Sequence, residues 1–304
     1  NLSCTMTSAT PPSSKVVGTG RFAPSPTGPL HYGSLLAAVA SFLNIRSTGG
    51  TWLVRIEDLD PPREMAGAAD DILRTLEKYE LHWDHEVIYQ SARSQIYDAA
   101  LQQLTEKELV YHCSCTRKEI AARGDKIYSG NCRAGVTKKR KQYSLRVKVP
   151  DQPIEWQDRI QGRQFANLFQ MNGDFIVRRA DGLYAYHLAV VVDDASQGIT
   201  EIIRGADLLT STNAQLFLQQ QLDLDTPLYG HIPVAINSMG EKLSKQSGAG
   251  AIAELDPANT LYRALQDLGQ QPPAELSKST VGEIIDWGTL NWDLRRIPAN
   301  KVLK

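Results

Sequence analysis

The chain has 304 residues, 42% of them hydrophobic and 22% charged, as in an ordinary soluble globular protein of about two domains. Its 33 basic and 34 acidic residues leave a net charge of −1, which excludes a global basic field and restricts any nucleic-acid contact to local patches. Four cysteines exclude a disulfide scaffold and no apolar run reaches membrane-spanning length, so the expected setting is a reducing compartment, the cytoplasm, with no membrane.

Asn1–Lys15 is rich in Ser, Thr and Pro and reads as a disordered tail rather than a signal peptide. Val16–Phe22 reads as a first strand. Ala23–Gly33 holds three Pro and two Gly and reads as a stiff loop. Ser34 is expected to cap a helix over Leu35–Arg46, apolar on all sides and therefore buried. Thr51–Ile56 reads as a strand, Ala68–Tyr79 as an amphipathic helix with Ile72, Leu73 and Leu76 on one face, and Ser94–Lys107 as another helix. Leu109–His112 returns to extended structure. This alternation predicts a parallel, doubly wound α/β sheet. From Cys113 the texture changes to cysteines, then Lys138–Lys148 with six basic residues in eleven, then short strands. Leu188–Val192 is a continuous apolar run and reads as a buried parallel strand. Asp256-Pro257 starts a later helix that Gly269 stops.

Two segments suit phosphates. Arg21–Ser34 places a rigid loop and His31 between a strand and a helix N-terminus, where backbone N–H groups favour anions. Lys242–Gln246 (KLSKQ) offers two lysines three apart in a Gly- and Ser-rich stretch, suited to clamping a polyphosphate. Cys113, Cys115 and Cys132 are one donor short of a closed zinc site, with Tyr128, His112 or a water as the fourth ligand. Asp58, Asp60 and Asp207 read as local structure. Asp193-Asp194 reads either as a Mg²⁺ ligand pair or as a turn after a strand. Lys138–Lys148 reads either as a phosphate-contacting patch or as a strand edge protected by Lys.

Taken in order, A-P-S-P-T-G-P-L-H-Y-G-S (23–34), L-V-R-I-E-D-L-D (53–60), I-I-R-G-A-D-L (202–208) and K-L-S-K (242–245) resemble the signatures of class I aminoacyl-tRNA synthetases of the glutamyl/glutaminyl type. The likeness runs from about Thr19 to Gln246. It implies a Rossmann-type doubly wound parallel sheet with an inserted zinc-containing α+β domain and a short helical C-terminal region. The expected division is a tail over 1–15, nucleotide-binding halves over 16–112 and 184–240, the insertion over 113–183, and the KLSKQ loop with helices over 241–304.

The resemblance also implies roles. Arg21, Phe22, Ala23, Pro24, Ser25, Glu57, Tyr186 and Arg204 would line a glutamate site, the arginines taking carboxylates and Glu57 the ammonium. His31, Gly33, Lys242, Ser244 and Lys245 would bind ATP, His31 and Lys245 being catalytic, with Mg²⁺ accompanying the nucleotide.

Only 58 residues follow Gln246, too few for an anticodon-binding portion. Gly33-Ser34 departs from the full-length H-x-G-H or H-x-G-G pattern. With C-x-C…Y-x₃-C, these features resemble the truncated paralogues that form the glutamyl-queuosine tRNA(Asp) synthetases. That likeness implies tRNA-independent activation of L-glutamate by ATP and transfer to queuosine in tRNA(Asp). It also implies one structural Zn²⁺ on Cys113, Cys115, Tyr128 and Cys132, and no protein partner. The alternatives are a truncated glutamyl-tRNA synthetase charging a 3′ end, a non-catalytic RNA- or glutamate-binding paralogue, and a zinc-ribbon RNA-binding module.

Overall fold

The computed structural model describes residues 17–124, 127–235 and 252–299, with the backbone of 302–303. The N-terminal tail, Cys4, Lys242, Ser244 and Lys245 lie outside the described residues.

Strand β1 (Thr19–Phe22) leads through the Pro-rich loop to α1 (Tyr32–Arg46) and β2 (Thr51–Ile56). Next come α2 (Ala68–Lys78), β3 (Ile88–Tyr89) and α3 (Ser94–Glu106). A β-rich stretch follows: β4 (Val110–Cys113), α4 (Arg117–Ala122), β5 (Ser144–Val147), β6 (Pro153–Asp158), β7 (Gly162–Asn167), α5 (Leu168–Asn172) and β8 (Ile176–Arg178). The chain then runs through α6 (Tyr186–Ser196), β9 (Glu201–Gly205), α7 (Ser211–Gln221), β10 (Leu228–Ile232) and β11 (Val234–Ala235). It ends in α8 (Pro257–Asp267), α9 (Val281–Asn291) and β12 (Val302–Leu303).

The main sheet is parallel, in the order β10-β9-β1-β2-β3. Helices cover both faces, as a parallel sheet requires. The pleat of β2 shows why: Trp52, Val54 and Ile56 enter one core, with α1, α2, α8 and α9, while Leu53 and Arg55 point to the other face. That second face is covered by α6, whose Leu188 and Val191 pack with α3 and α7. Helix α1 is buried on nearly every side, as its apolar composition requires. Asp256 caps α8 by accepting the Asn259 amide, Pro257 begins that helix, and Gly269 leaves it at a φ of +73°. Among the described residues, no helix is long and apolar enough to cross a membrane.

Three expectations are corrected. Leu188–Val192 is not a strand but the middle of α6. Five apolar residues carry no period that separates the two, and burial overrides the weak helix preference of three valines. Asp193-Asp194 therefore lie in a helix and not in a turn after a strand. Lastly, β5 is the central strand of the antiparallel sheet β4-β5-β8, so the basic run that contains it is not a protected strand edge. Several of its cations are structural. Arg146 is buried and donates to the Asp174 carbonyl, while Lys138 and Arg140 pair with Glu119.

Candidate functional site

A cleft of about 550 Å³ opens at the carboxyl ends of β1 and β9. From β1 the chain order runs to β2 on one side and to β9 on the other, so this is the switch point of the sheet, where such folds bind ligands. Arg21, Phe22, Ala23, Pro24, Ser25, His31, Gly33, Glu57, Tyr186 and Arg204, which the sequence assigns to glutamate or ATP, all line it. Asp207 lines it too, and so does not remain the purely local residue expected. Asp58 and Asp60 are structural, but their partners are not all local. Asp58 accepts from the Ser91 amide and hydroxyl, and Asp60 pairs with Arg63 and Arg179.

The cap of α1 is His31, not Ser34. Its Nδ1 accepts the Ser34 amide at 3.3 Å, and its Nε2 lies 3.1 Å from the Ser34 hydroxyl. An imidazole replaces the usual short polar cap, so the ring is held at the positive end of a helix that borders the cleft.

Beneath the cleft lies a buried ionic cluster. Arg21 donates twice to Asp194, at 3.0 and 3.2 Å. Arg55, fully buried on β2, donates to Asp194 at 2.8 Å and to Glu57 at 3.2 Å. Asp193 accepts from Gln90, Arg93 and Tyr97 at 2.6–2.8 Å. Asp193 and Asp194 are thus committed to guanidinium, amide and hydroxyl groups, which corrects the reading of the pair as Mg²⁺ ligands. Burial opposes charge on Asp194, but Arg21 and Arg55 outweigh it and hold the carboxyl below its usual value. Burial pushes the Glu57 carboxyl up, with Arg55 and Arg21 opposing without cancelling.

Arg204 stands on the β9 side. Its Nε donates to His231 Nε2 at 3.0 Å, and its Nη2 to Thr212 Oγ1 at 2.8 Å and Gln215 Oε1 at 2.7 Å. Its Nη1 is buried and has no hydrogen-bond partner among the described residues. Arg204 lines the cleft, and a guanidinium so clamped keeps one nitrogen unsatisfied, as a carboxylate site requires.

Burial holds His231 and His187 at pKa values of about 4, with the Arg204 charge adding to the effect. Both are therefore neutral in the fold, whereas in the unfolded chain each titrates near the ordinary value of 6.5. Between those values the unfolded state binds more protons, so stability falls as pH drops from 6.5 towards 4. For fully buried His231 the loss is about 3 kcal/mol. Thermal melts at pH 7 and pH 4.5 check this, and His231→Gln should flatten the dependence.

The three described cysteines form a second cluster. The Sγ atoms of Cys113, Cys115 and Cys132 lie within 4.8 Å of one another. The Tyr128 hydroxyl is 3.2 Å from Cys113 Sγ and 3.9 Å from Cys115 Sγ, and it accepts the Cys132 amide at 3.0 Å. Arg146 stacks 3.8 Å above the Tyr128 ring and donates to Cys113 Sγ. Gly173 lets Tyr128 in: its φ is +60°, and a Cβ there would sit 2.2 Å from the Tyr128 carbonyl oxygen. His112 follows the strand alternation to the opposite side, where it is exposed against Tyr143. Three thiols and one phenol oxygen therefore converge as a donor set that fits a tetrahedral metal, with His112 outside it.

Residues 17–268 match the family described as tRNA synthetases class I (E and Q), catalytic domain. The chain belongs to this family. Such synthetases use ATP with Mg²⁺, and the chain is a ligase of the aminoacyl-tRNA synthetase class. Relatives named Glutamyl-Q tRNA(Asp) synthetase include one from Thiobacillus denitrificans, 50% identical over 93% of this chain and 96% of its own length. One from Chromobacterium violaceum is 51% identical over 92% and 95%. Among solved structures, a glutamate tRNA ligase from Elizabethkingia meningosepticum, in complex with its amino acid, superposes with a TM-score of 0.79 at 25% identity. The match covers 93% of this chain and 66% of that one, so the chain spans about two thirds of its length.

Sequence reasoning missed three residues of this synthetase. Arg55 carried a signal: a lone charge inside the apolar strand Thr51–Ile56 requires buried partners. Asp158 and His231 carried none, because they are 73 residues apart and neither lies in a recognised motif.

Proposed function

We propose that the protein activates L-glutamate with ATP, without tRNA, to glutamyl-adenylate and then transfers glutamate to queuosine in the anticodon of tRNA(Asp). The observation that supports this most is the cleft itself. At the switch point of the sheet it joins buried Arg204, with its unsatisfied Nη1, to Arg21, Glu57 and a helix N-terminus bearing His31. The acceptor comes from the relatives, near 50% identical over almost their whole length.

In this reading Arg204 and Arg21 bind carboxylates, and Glu57 accepts from the ammonium group. The backbone at Ala23 and Ser25 and the Tyr186 hydroxyl complete the glutamate site, with Phe22 and Pro24 shaping its wall. The α-carboxylate attacks the α-phosphorus of ATP in line and pyrophosphate leaves. Mg²⁺ arriving with the nucleotide neutralises phosphate charge. His31 and Gly33 border the phosphates, and Lys242, Ser244 and Lys245 are assigned to them from the sequence. A queuosine hydroxyl then attacks the adenylate carbonyl and AMP leaves. The protein's task is positioning and charge stabilisation.

Glutamate-dependent ATP–pyrophosphate exchange without tRNA tests the first step, with aspartate and glutamine as controls. Exchange with glutamate alone is expected. Exchange only after tRNA is added would favour a truncated glutamyl-tRNA synthetase. No exchange in either condition would favour a non-catalytic paralogue.

Cys113, Cys115, Cys132 and Tyr128 would hold one structural zinc, which would fold the loop of an inserted, RNA-facing α+β region. Elemental analysis should find about one zinc per chain. Chelation should lower the melting temperature while leaving the cleft residues in place, and Cys115→Ser should do the same. A metal-free protein that melts identically with and without chelator would contradict this assignment.

A further inference from the structure

Two residues outside the cleft control its clearest cationic group. Asp158, at the end of β6, has no exposed surface. Its Oδ1 accepts the amides of Ile160, Gln161 and His231 at 2.9, 2.7 and 3.2 Å. Its Oδ2 lies 2.6 Å from His231 Nδ1. Across the same ring, His231 Nε2 meets Arg204 Nε at 3.0 Å.

A guanidinium nitrogen can only donate, so His231 Nε2 must accept, and the ring proton must sit on Nδ1, facing Asp158. Trp156 edges the ring at 5.9 Å and Tyr229 lies nearly parallel to it at 6.2 Å, while partners at both ring nitrogens fix its orientation. Thr212 and Gln215 hold Arg204 Nη2 on the other side. Every donor of Arg204 except those on Nη1 is thereby tied down.

We infer that Asp158 and His231 are positioning residues for substrate affinity: the Asp158–His231 pair fixes the imidazole tautomer that receives Arg204 Nε–H, and so sets the orientation in which the Arg204 guanidinium meets a carboxylate in the cleft. This rests on the proposed glutamate activation. It goes beyond it by tying the amino-acid site to the β6–β7 hairpin, whose side chain at Asp158 never reaches the cleft.

Three variants test it: His231→Leu, His231→Gln and Asp158→Asn. Leucine removes the acceptor, whereas glutamine can supply one in nearly the same place. Asparagine keeps the shape of aspartate. Its single oxygen is claimed by three backbone amides, so its NH₂ faces the ring and forces the proton onto Nε2, against Arg204. Each protein is checked for folding by thermal melt. The KM values for glutamate and ATP and kcat are then read from pyrophosphate exchange, and L-glutamate affinity from calorimetry.

His231→Leu and Asp158→Asn should weaken glutamate about 10- to 100-fold, with the ATP KM and kcat changed by no more than about threefold. His231→Gln should recover most of the loss. Folded His231→Leu and Asp158→Asn proteins with wild-type glutamate affinity would overturn the inference. So would a His231→Gln protein as impaired as His231→Leu. Should His231→Leu fail to fold, the other two variants decide. If the wild type binds glutamate without exchange, the activation reading fails while calorimetry on the variants still decides this one. If the wild type binds no glutamate, both fall.

Discussion

Arg204→Ala should raise the KM for glutamate by about 30- to 1000-fold, as truncating one partner of a buried charge pair costs ~2–4 kcal/mol. Arg204 is 5% exposed, and four of its contacts serve only to hold it. Its remaining nitrogen, Nη1, is buried without a hydrogen-bond partner among the described residues, and Arg204 and Glu57 both line the cleft. A charge kept at such cost of desolvation implies an anionic partner in the working complex. Arg204→Lys should recover little, because a lysine cannot reproduce the fork that joins His231, Thr212 and Gln215 on one side and substrate on the other. The ATP KM should stay near its wild-type value. Steady-state exchange kinetics on the folded variant check this, and a glutamate KM within threefold of wild type would remove Arg204 from the amino-acid site.

Asp194→Ala should be the most destabilising single change in the cleft floor. The carboxylate of Asp194 is shared by Arg21 and Arg55, and the exposures of the three are 4%, 4% and 0%. Its loss leaves two buried guanidiniums without their main counter-charge, for which ~3–5 kcal/mol is the usual size. For a chain of 304 residues that corresponds to a fall in melting temperature of roughly 5–8 °C. Asp194→Asn should fall in the same direction by less, since one oxygen still accepts. Added Mg²⁺ should not restore either variant, because the acid serves arginines and not a metal. Calorimetric melts with and without Mg²⁺ read both points. A melting temperature unchanged by Asp194→Ala, or rescued by Mg²⁺, would contradict the structural role.

The cleft was legible in the sequence because its residues sit in contiguous motifs fixed to strand ends. Arg21–Ser25 spans the end of β1, Glu57 follows β2, and Arg204 is the penultimate residue of β9. Each motif is short, and the parallel sheet places all three ends side by side. The floor beneath was not legible, since an acidic pair looks the same in sequence whether it meets a metal or an arginine. Arg21 and Asp194 are 173 residues apart, and only folding brings them together. The same limit hid the His231–Asp158 pair.

The strand assigned to Leu188–Val192 failed for a different reason. A fully buried helix and a fully buried strand are both apolar throughout, and five residues are too few to show a turn. The cysteine cluster was legible as a spacing. His112 could be removed from its donors only once β4 put it on the opposite side from Cys113. The strand-edge reading of the basic run failed because composition counts charges and not partners: β5 is a central strand, and Glu119, Asp174 and the Ser114 carbonyl use several of the cations internally.

The central claim is that glutamate ends on a modified base in an anticodon. The most direct measurement is transfer of radiolabelled glutamate to tRNA(Asp) prepared with and without queuosine, each also with its 3′-terminal adenosine removed. The account predicts label only on queuosine-containing tRNA, retained without the terminal adenosine and recovered in the anticodon fragment after nuclease digestion. Label that ignores queuosine and disappears with the 3′ adenosine would contradict it and identify an enzyme that charges the tRNA end.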